Sequence, residues 1–231
     1  MKFLLTNDDG IAAPGLAALE QALCGLGDVA VVAPLESLSG CSHQVTTNRP
    51  LQATKVNALR HAVDGTPADC IRLGLLSLAL DADWVMAGVN DGANLGVDVF
   101  MSGTVAAVRE ATLFGKPAVA FSQYRRNREP VDWSAVVPLV QSVVEQLWQY
   151  PLQPGAYWNV NFPDRDDDDL SSEIVICPLE SSHLPILFEH QDGRFHYQGI
   201  YHQRARKQGA DVDVCFSGQI AVTQVLPGWS A

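Results

Sequence analysis

Short apolar runs alternate along this chain with longer stretches in which apolar positions recur every three or four residues. Residues 3–6 form the first short run, which ends abruptly in Asn7-Asp8-Asp9-Gly10. Pro14 then opens a stretch carrying Leu16, Leu19 and Leu23, the spacing of an amphipathic helix. Proline suits the first turn of such a helix, and Gly25 and Gly27 close it. Residues 29–33 are nearly all apolar, as expected of a strand covered on both faces, and Pro34 stops them. Residues 34–66 read as loop, with short strands expected near 45–47 and 61–63. Thr66-Pro67 pairs an N-cap with a proline at the first helical position, predicting a helix through Ile71, Leu75 and Leu76 to about Leu80.

The same alternation continues. Residues 84–88 read as a third buried strand and residues 117–121 as a fourth. Between them, Ser102-Gly103-Thr104 opens a helix that is expected to turn Val105, Val108 and Leu113 inward and to end at Gly115. Such alternation predicts right-handed βαβ units: an α/β, Rossmann-like core with a mostly parallel sheet flanked by helices. One more amphipathic helix is expected over 133–148 and a strand over 158–162.

The character changes after about residue 174. Residues 174–177 and 220–225 read as strands, and Phe195, Tyr197 and Tyr201 alternate with polar residues as in an extended arm or hairpin. The expected organisation is a catalytic core over 1–165 and a β-rich appendage over 166–231. That appendage has room to return one strand to the core, and its aromatics suit a subunit interface. The acidic run 166–169 reads as a solvated loop, because it lacks the spaced ligands and turn glycine of a calcium loop.

Charge narrows the partners. The formal net charge of -11 makes duplex nucleic acid a poor ligand. A phosphate could still be held locally by a metal ion or a helix N-terminus. No apolar segment approaches the length of a membrane span, and the N-terminal residues lack a signal-peptide pattern. The five cysteines show no Cys-x-x-Cys spacing, and all five are read as reduced, buried thiols. A cytoplasmic location is the resulting expectation.

In open α/β sheets, ligands bind beyond the carboxyl ends of the strands. Asn7-Asp8-Asp9-Gly10 follows the first strand. A loop with Ser37, Ser39, Gly40, Ser42 and His43 follows the second, and Asn90, Asp91, Gly92 and Asn94 follow the third. All of them, with Ser102-Gly103-Thr104, fall on one edge of the sheet. A turn at Gly10 would let both Asp8 and Asp9 face one ion. Two carboxylates with neutral Ser and Asn oxygens make a hard site suited to Mg²⁺ or Mn²⁺. The plain alternative is that the two acids cap a turn, and Asn90 at a second strand end favours the metal. Ser102-Gly103-Thr104 reads equally as a phosphate cradle at a helix N-terminus or as ordinary N-capping. His43 reads equally as an acid/base group or a packing residue, and the other histidines as solvent or interface residues. No Walker A motif, dinucleotide-binding glycine pattern or Gly-x-Ser-x-Gly elbow is present.

Taken in order, several short motifs resemble the SurE survival-protein family. They are Thr6-Asn7-Asp8-Asp9-Gly10, Ala13-Pro14-Gly15, Val31-Val32-Ala33-Pro34, Ser39-Gly40, Gly65-Thr66-Pro67 and Gly88-Val89-Asn90. Asn94-Leu95-Gly96, Ser102-Gly103-Thr104-Val105-Ala106-Ala107 and Asn159-Val160-Asn161-Phe162-Pro163 continue the series. The resemblance implies a 5′/3′-nucleotidase, a phosphoric monoester hydrolase acting on nucleoside monophosphates and in some members on short polyphosphate. It implies one divalent metal ion per subunit and a homodimer or homotetramer with exchanged C-terminal elements. Residue by residue, it makes Asp8, Asp9, Ser39 and Asn90 the metal ligands. Asp8 is also read as the catalytic group that orients or activates the nucleophile, with a phospho-aspartyl route through it as the alternative. It places Asn94, Ser102, Gly103 and Thr104 beside the phosphate. Near the C-terminus the family's Thr-Asp pair is replaced by Ala210-Asp211. A catalytically weak nucleotide-binding sensor that keeps the metal site is the alternative reading.

Overall fold

The computed structural model describes residues 1–78, 81–126, 129–164 and 173–228. In chain order, β1 (Lys2–Thr6), α1 (Pro14–Leu23) and β2 (Asp28–Pro34) come first, followed by β3 (Ala53–Asn57), β4 (Arg60–Val63) and α2 (Pro67–Leu76). Next are β5 (Trp84–Asp91), α3 (Gly103–Leu113), β6 (Ala118–Gln123), α4 (Trp133–Leu147) and β7 (Tyr157–Phe162). The C-terminal part adds β8 (Ile174–Ile176), β9 (Phe188–Gln191), β10 (Arg194–Tyr197), α5 (Asp211–Phe216) and β11 (Ile220–Val225).

Among the described residues, nine strands form one sheet in the order β3-β4-β2-β1-β5-β6-β7-β11-β8. The run from β4 to β7 is parallel throughout. β3 joins one edge antiparallel, and β11 joins β7 antiparallel while pairing in parallel with β8. Successive side chains of a strand point to opposite faces, so Phe3 and Leu5 pack with α1 and α4, while Leu4 packs with α2 and α3. Both faces are thus covered, which is the α/β architecture expected from the alternating pattern. A smaller apolar cluster of Leu95, Tyr124, Cys177, Val212 and Cys215 joins the C-terminal segment to the carboxyl end of the sheet.

The chain leaves β1 toward β2 on one side, while β5 and β6 extend the sheet on the other. β1 and β5 therefore flank the topological switch point, where open α/β sheets bind ligands.

Several expectations are revised. No strand forms at 45–47. That backbone is instead tied to the start of α2: the Thr46 N–H donates to Asp69 Oδ1 at 2.9 Å, and the Thr66 hydroxyl donates to the Gln44 carbonyl at 2.6 Å. The edge strand is β3, whose five residues are all exposed and so carry no apolar signature. α2 ends at Leu76, and Leu113 is 49% exposed rather than turned inward. Tyr201 lies in a 3-10 turn, and residues 211–216 form the helix α5, which the sequence reading did not assign. Cys70, Cys177 and Cys215 are buried, Cys41 is half-buried and Cys24 is exposed. The acidic run 166–169 lies outside the described residues.

Candidate active site

The turn after β1 is closed by its own asparagine. Asn7 Oδ1 accepts the Gly10 N–H at 3.2 Å, and Asn7 Nδ2 donates to the Gly10 carbonyl at 2.9 Å. Gly10 has φ +102, a conformation that residues with a side chain rarely adopt. This turn presents Asp8 and Asp9 in succession at the switch point. The Leu38 N–H donates to the Asp8 carbonyl at 2.7 Å, which docks the loop after β2 on the same spot. That loop is fastened further along, where Ser42 Oγ donates to the Phe100 carbonyl at 2.7 Å.

Asp8 is buried, and its Oδ1 accepts a very close hydrogen bond from the Thr104 hydroxyl at the first turn of α3. The Thr104 hydroxyl is also 3.5 Å from Asn90 Oδ1. Asn90 Nδ2 donates to the Gly92 carbonyl at 2.7 Å, which fixes the orientation of its amide. Asp9 Oδ2 accepts the Asp91 N–H at 3.1 Å. Asp8, Asp9, Asn90 and Thr104 thus converge from β1, β5 and α3. Ser39 follows Leu38 in the docked loop, with its hydroxyl exposed and 3.2 Å from that of Ser37.

Burial pushes the Asp8 carboxyl up to about 6; the hydrogen bond from Thr104 opposes this and the neighbouring negative charge of Asp9 adds to it. Asp9 is raised by burial too, against the Asp91 N–H and with the Asp91 charge. A buried carboxylate with a second one beside it is stabilised by a cation held between them. Among the described residues no three His, Cys, Asp or Glu groups form a metal cluster. The donors here are instead two carboxylates and neutral amide and hydroxyl oxygens, a set that fits a hard divalent ion. Cys41 lies beside this group, but burial and the Asp8 charge push its thiol up to about 11, so it is protonated and poorly nucleophilic at neutral pH.

Ser102 caps α3 by accepting the Val105 N–H at 3.1 Å. Helix geometry leaves the Gly103 and Thr104 N–H groups without intrahelical acceptors, and the Thr104 N–H faces Asp8. Gly103 is there because of space: a Cβ would lie 2.9 Å from Asp8 Oδ2 and 2.9 Å from Cys41 Sγ. We predict that Gly103→Ala keeps the fold but displaces the Asp8 carboxylate and lowers phosphate release about 100-fold, since small displacements of reacting groups carry costs of that size. Retention of more than about half of the wild-type rate would show that Asp8 and Gly103 are not a functional unit.

Asn94 sits one layer deeper. Its Nδ2 donates to Ser122 Oγ at 2.8 Å, its N–H donates to Asn161 Oδ1 at 2.8 Å, and its carbonyl accepts from Asn159 Nδ2 at 2.8 Å and Asn161 Nδ2 at 3.1 Å. The two asparagines of β7 point to one face by strand alternation, and that spacing was the signal for this support. His43 is engaged elsewhere: its Nε2 is 2.7 Å from Glu110 Oε2. The buried Glu110 also accepts from Arg72 Nε at 2.6 Å. Burial alone would raise the Glu110 pKa, but the bonds from His43 and Arg72 bring it below the ordinary glutamate value. His43 therefore anchors the Ser39 loop to α3.

Sequence reasoning missed a second polar group, behind the segment from Asn94 to Ser102. Arg204 and Asp98 are both buried and paired at 2.7 Å. Tyr201 donates its hydroxyl to Asp98 at 2.6 Å, and Asp211 accepts the Gly96 N–H at 2.7 Å. Tyr201, Arg204 and Asp211 each lie more than 100 positions beyond their partners Asp98 and Gly96, so no local pattern links them.

Comparison with known proteins places the same residues in a family. Residues 3–184 match the family model described as Survival protein SurE. The chain belongs to the SurE family. A relative from Synechocystis sp. is 45% identical over 225 residues, spanning 97% of this chain and 99% of the relative. A protein of Paramagnetospirillum magneticum named 5′-nucleotidase SurE is 40% identical over 230 residues, spanning 96% of this chain and 88% of that protein. The crystal structure of the SurE protein from Aquifex aeolicus superposes with a TM-score of 0.86 at 30% identity, covering 100% of this chain and 95% of that one. The SurE model stops before β9, whereas the likeness to the Aquifex structure extends over the hairpin, α5 and β11 as well.

Proposed function

We propose that this SurE-family chain hydrolyses nucleoside 5′- and 3′-monophosphates to nucleoside and phosphate, using one Mg²⁺ or Mn²⁺ ion per subunit. The observation that carries the proposal is the meeting of Asp8, Asp9 and Asn90 with the N-terminus of α3. Relatives named 5′-nucleotidase SurE, each matched over most of this chain, support hydrolysis of 5′-monophosphates.

In this reading Asp8, Asp9, Asn90 and Ser39 hold the metal. When bound, the ion would offset phosphoryl charge and make a coordinated water more acidic. The chain's own groups do the rest. The N–H groups of Gly103 and Thr104 and the Ser102 hydroxyl hold the phosphoryl oxygens, where the partial positive charge of the helix end favours an anion. Thr104 fixes one Asp8 oxygen, so the other can orient a water in line with the scissile P–O bond and take its proton. Asn94 acts from behind, shaping the loop that delivers Asn90. The hairpin β9–β10 exposes Phe188, Phe195 and Tyr197, which suits contact with a second subunit in a homodimer or homotetramer. No described helix is long and apolar enough to cross a membrane, and we place the enzyme in the cytoplasm.

Phosphate release from nucleoside 5′- and 3′-monophosphates, with Mg²⁺, with Mn²⁺ and with chelator, tests the proposal. Turnover is expected only with metal, and Asn90→Ala is expected to lower it about 100-fold. Turnover in the presence of chelator would rule out the metal assignment. Nucleotide binding without turnover would favour the sensor.

A further inference from the structure

Of the four groups read as metal ligands, Ser39 has the least secure footing. Asp8 and Asp9 follow β1 directly and Asn90 lies within β5, so the sheet itself holds them. Ser39 lies on an exposed tip formed by residues 35–40, and its hydroxyl meets that of Ser37 at 3.2 Å. Just beyond it the backbone turns twice into left-handed conformations, at Gly40 (φ +76) and Ser42 (φ +53). Glycine adopts this conformation freely, whereas serine does so at a cost. Ser42 therefore keeps it only while its surroundings hold the chain there.

The holding groups come from α3 and the segment before it. The Ser42 N–H donates to the Met101 carbonyl at 3.1 Å, beside the bond from its hydroxyl to Phe100. The next residue, His43, reaches the buried Glu110. The lowered pKa of Glu110 keeps it charged, and a charged carboxylate only accepts, so His43 Nε2 is the donor. At the other side of the ring, Arg109 Nη1 lies 3.5 Å from Nδ1, while Arg109 Nη2 donates to the Val99 carbonyl at 2.6 Å. Two consecutive residues of α3 thus grip both nitrogens of the imidazole. Arg72 of α2 takes the second Glu110 oxygen, which orients the carboxylate independently of the loop. Further along, Asp69 binds the Thr46 N–H, but it also accepts the Thr66 N–H and completes the capping box of α2. The bond between His43 and Glu110 has no such duty to a helix end.

We propose that His43 and Glu110 are positioning residues that hold Ser39 in place for the metal ion. The inference rests on the metal reading given above and adds two residues that touch neither ion nor substrate. Breaking their bond frees the chain between Leu38 and Gln44, so Ser39 must be ordered as the ion binds and the ion is held less tightly. Asp8, Asp9 and the start of α3 keep their places, so hydrolysis at full metal loading changes little.

The test is a Mn²⁺ titration of metal-free protein, followed by the paramagnetic resonance signal of the free ion. Wild type is compared with Ser39→Ala, His43→Ala and His43→Gln. His43→Ala leaves Glu110 paired with Arg72, so the fold is expected to persist. It is expected to raise the Kd for Mn²⁺ about tenfold, the size of effect seen when a group supporting a metal ligand is lost. The kcat for AMP at saturating Mn²⁺ is expected to stay within about threefold of wild type. His43→Gln keeps an amide donor for Glu110 and is expected to bring the Kd back to within about threefold of wild type. An unchanged Kd in His43→Ala, with Ser39→Ala weakened, overturns the inference and leaves the metal reading standing. An unchanged Kd in both removes Ser39 from the ligands and overturns the inference with it. Equal losses in His43→Gln and His43→Ala also overturn it, because packing of the ring and not its bond to Glu110 would then hold the loop. The titration needs no turnover. Weaker binding in His43→Ala, restored in His43→Gln, sustains the inference even if the wild type hydrolyses no nucleotide, and only the nucleotidase reading then fails.

Discussion

Asp8→Asn is expected to abolish phosphate release, by about 1,000-fold or more, and to make the metal-free protein more stable at pH 8. The first effect follows because an amide can neither take a proton from water nor hold a divalent ion as a carboxylate does. The second follows from burial. The Asp8 carboxyl titrates at about 6 in the folded chain against 3.8 for the free group. Its folded pKa is raised, so the native state holds the proton more tightly than the unfolded state between these values. Stability therefore falls as pH climbs from about 4 to about 6, and the full cost persists above that. At 1.36 kcal/mol per pH unit the cost is about 3 kcal/mol, or about 5 °C or more in Tm for a domain of this size. Asparagine keeps an oxygen for the Thr104 hydroxyl but carries no charge. Thermal melts of both proteins without metal, at pH 8 and pH 4, check this: the variant should melt higher at pH 8, and the gap should close at pH 4. A lower Tm for the variant at pH 8 would show that the Asp8 charge is compensated within the protein. Added Mn²⁺ should raise the wild-type Tm and leave that of the variant almost unmoved.

The second large effect is on stability alone. Arg204→Met is expected to destabilise the fold by about 3 kcal/mol, because it leaves Asp98 charged and buried with only the Tyr201 hydroxyl and the Leu95 N–H as partners. Methionine roughly preserves the volume, so a cavity is not the cause. The Leu95 carbonyl also loses the Arg204 Nη2 donor at 3.1 Å. Urea denaturation provides the measurement, and adding Asp98→Asn to Arg204→Met should recover part of the loss, since the uncompensated charge is then gone. A loss below about 1 kcal/mol would show that water reaches Asp98 once the arginine is removed.

The two groups of residues differ in how readable they were. The acid pair could be found because it follows an apolar run and precedes a glycine, and strand ends are where α/β proteins place ligands. Asn90 and the Ser102-Gly103-Thr104 helix start could be found for the same reason. What those hydroxyls do could not. Thr104 reads as a phosphate donor, yet in the folded chain it is bound to Asp8, a partner 96 residues away. His43 reads equally as an acid/base group or a packing residue, and the partner that decides it, Glu110, lies on the third turn of a helix whose buried face carries mostly small apolar residues. The exposed strand β3 escaped because solvent on both sides removes the apolar alternation. α5 was hidden by a period-two pattern over too few residues to separate strand from helix. The Arg204–Asp98–Tyr201 group was unreadable because only the tertiary fold brings these residues together.

The placement of β11 has a consequence for how the chain is made. Synthesis delivers β8 well before β11, yet in the finished sheet β8 reaches β7 only through β11. Until the last strand has left the ribosome, β7 is an open edge with unpaired backbone groups, and β8 has no neighbour in the sheet. The parallel strands from β4 to β7 can assemble during elongation, whereas the far side must wait until β11 has been made. A nascent chain stalled after α5 would therefore carry the whole acid pair and α3 start, but also an adhesive border. Any change that delays or blocks the entry of β11 leaves that border exposed.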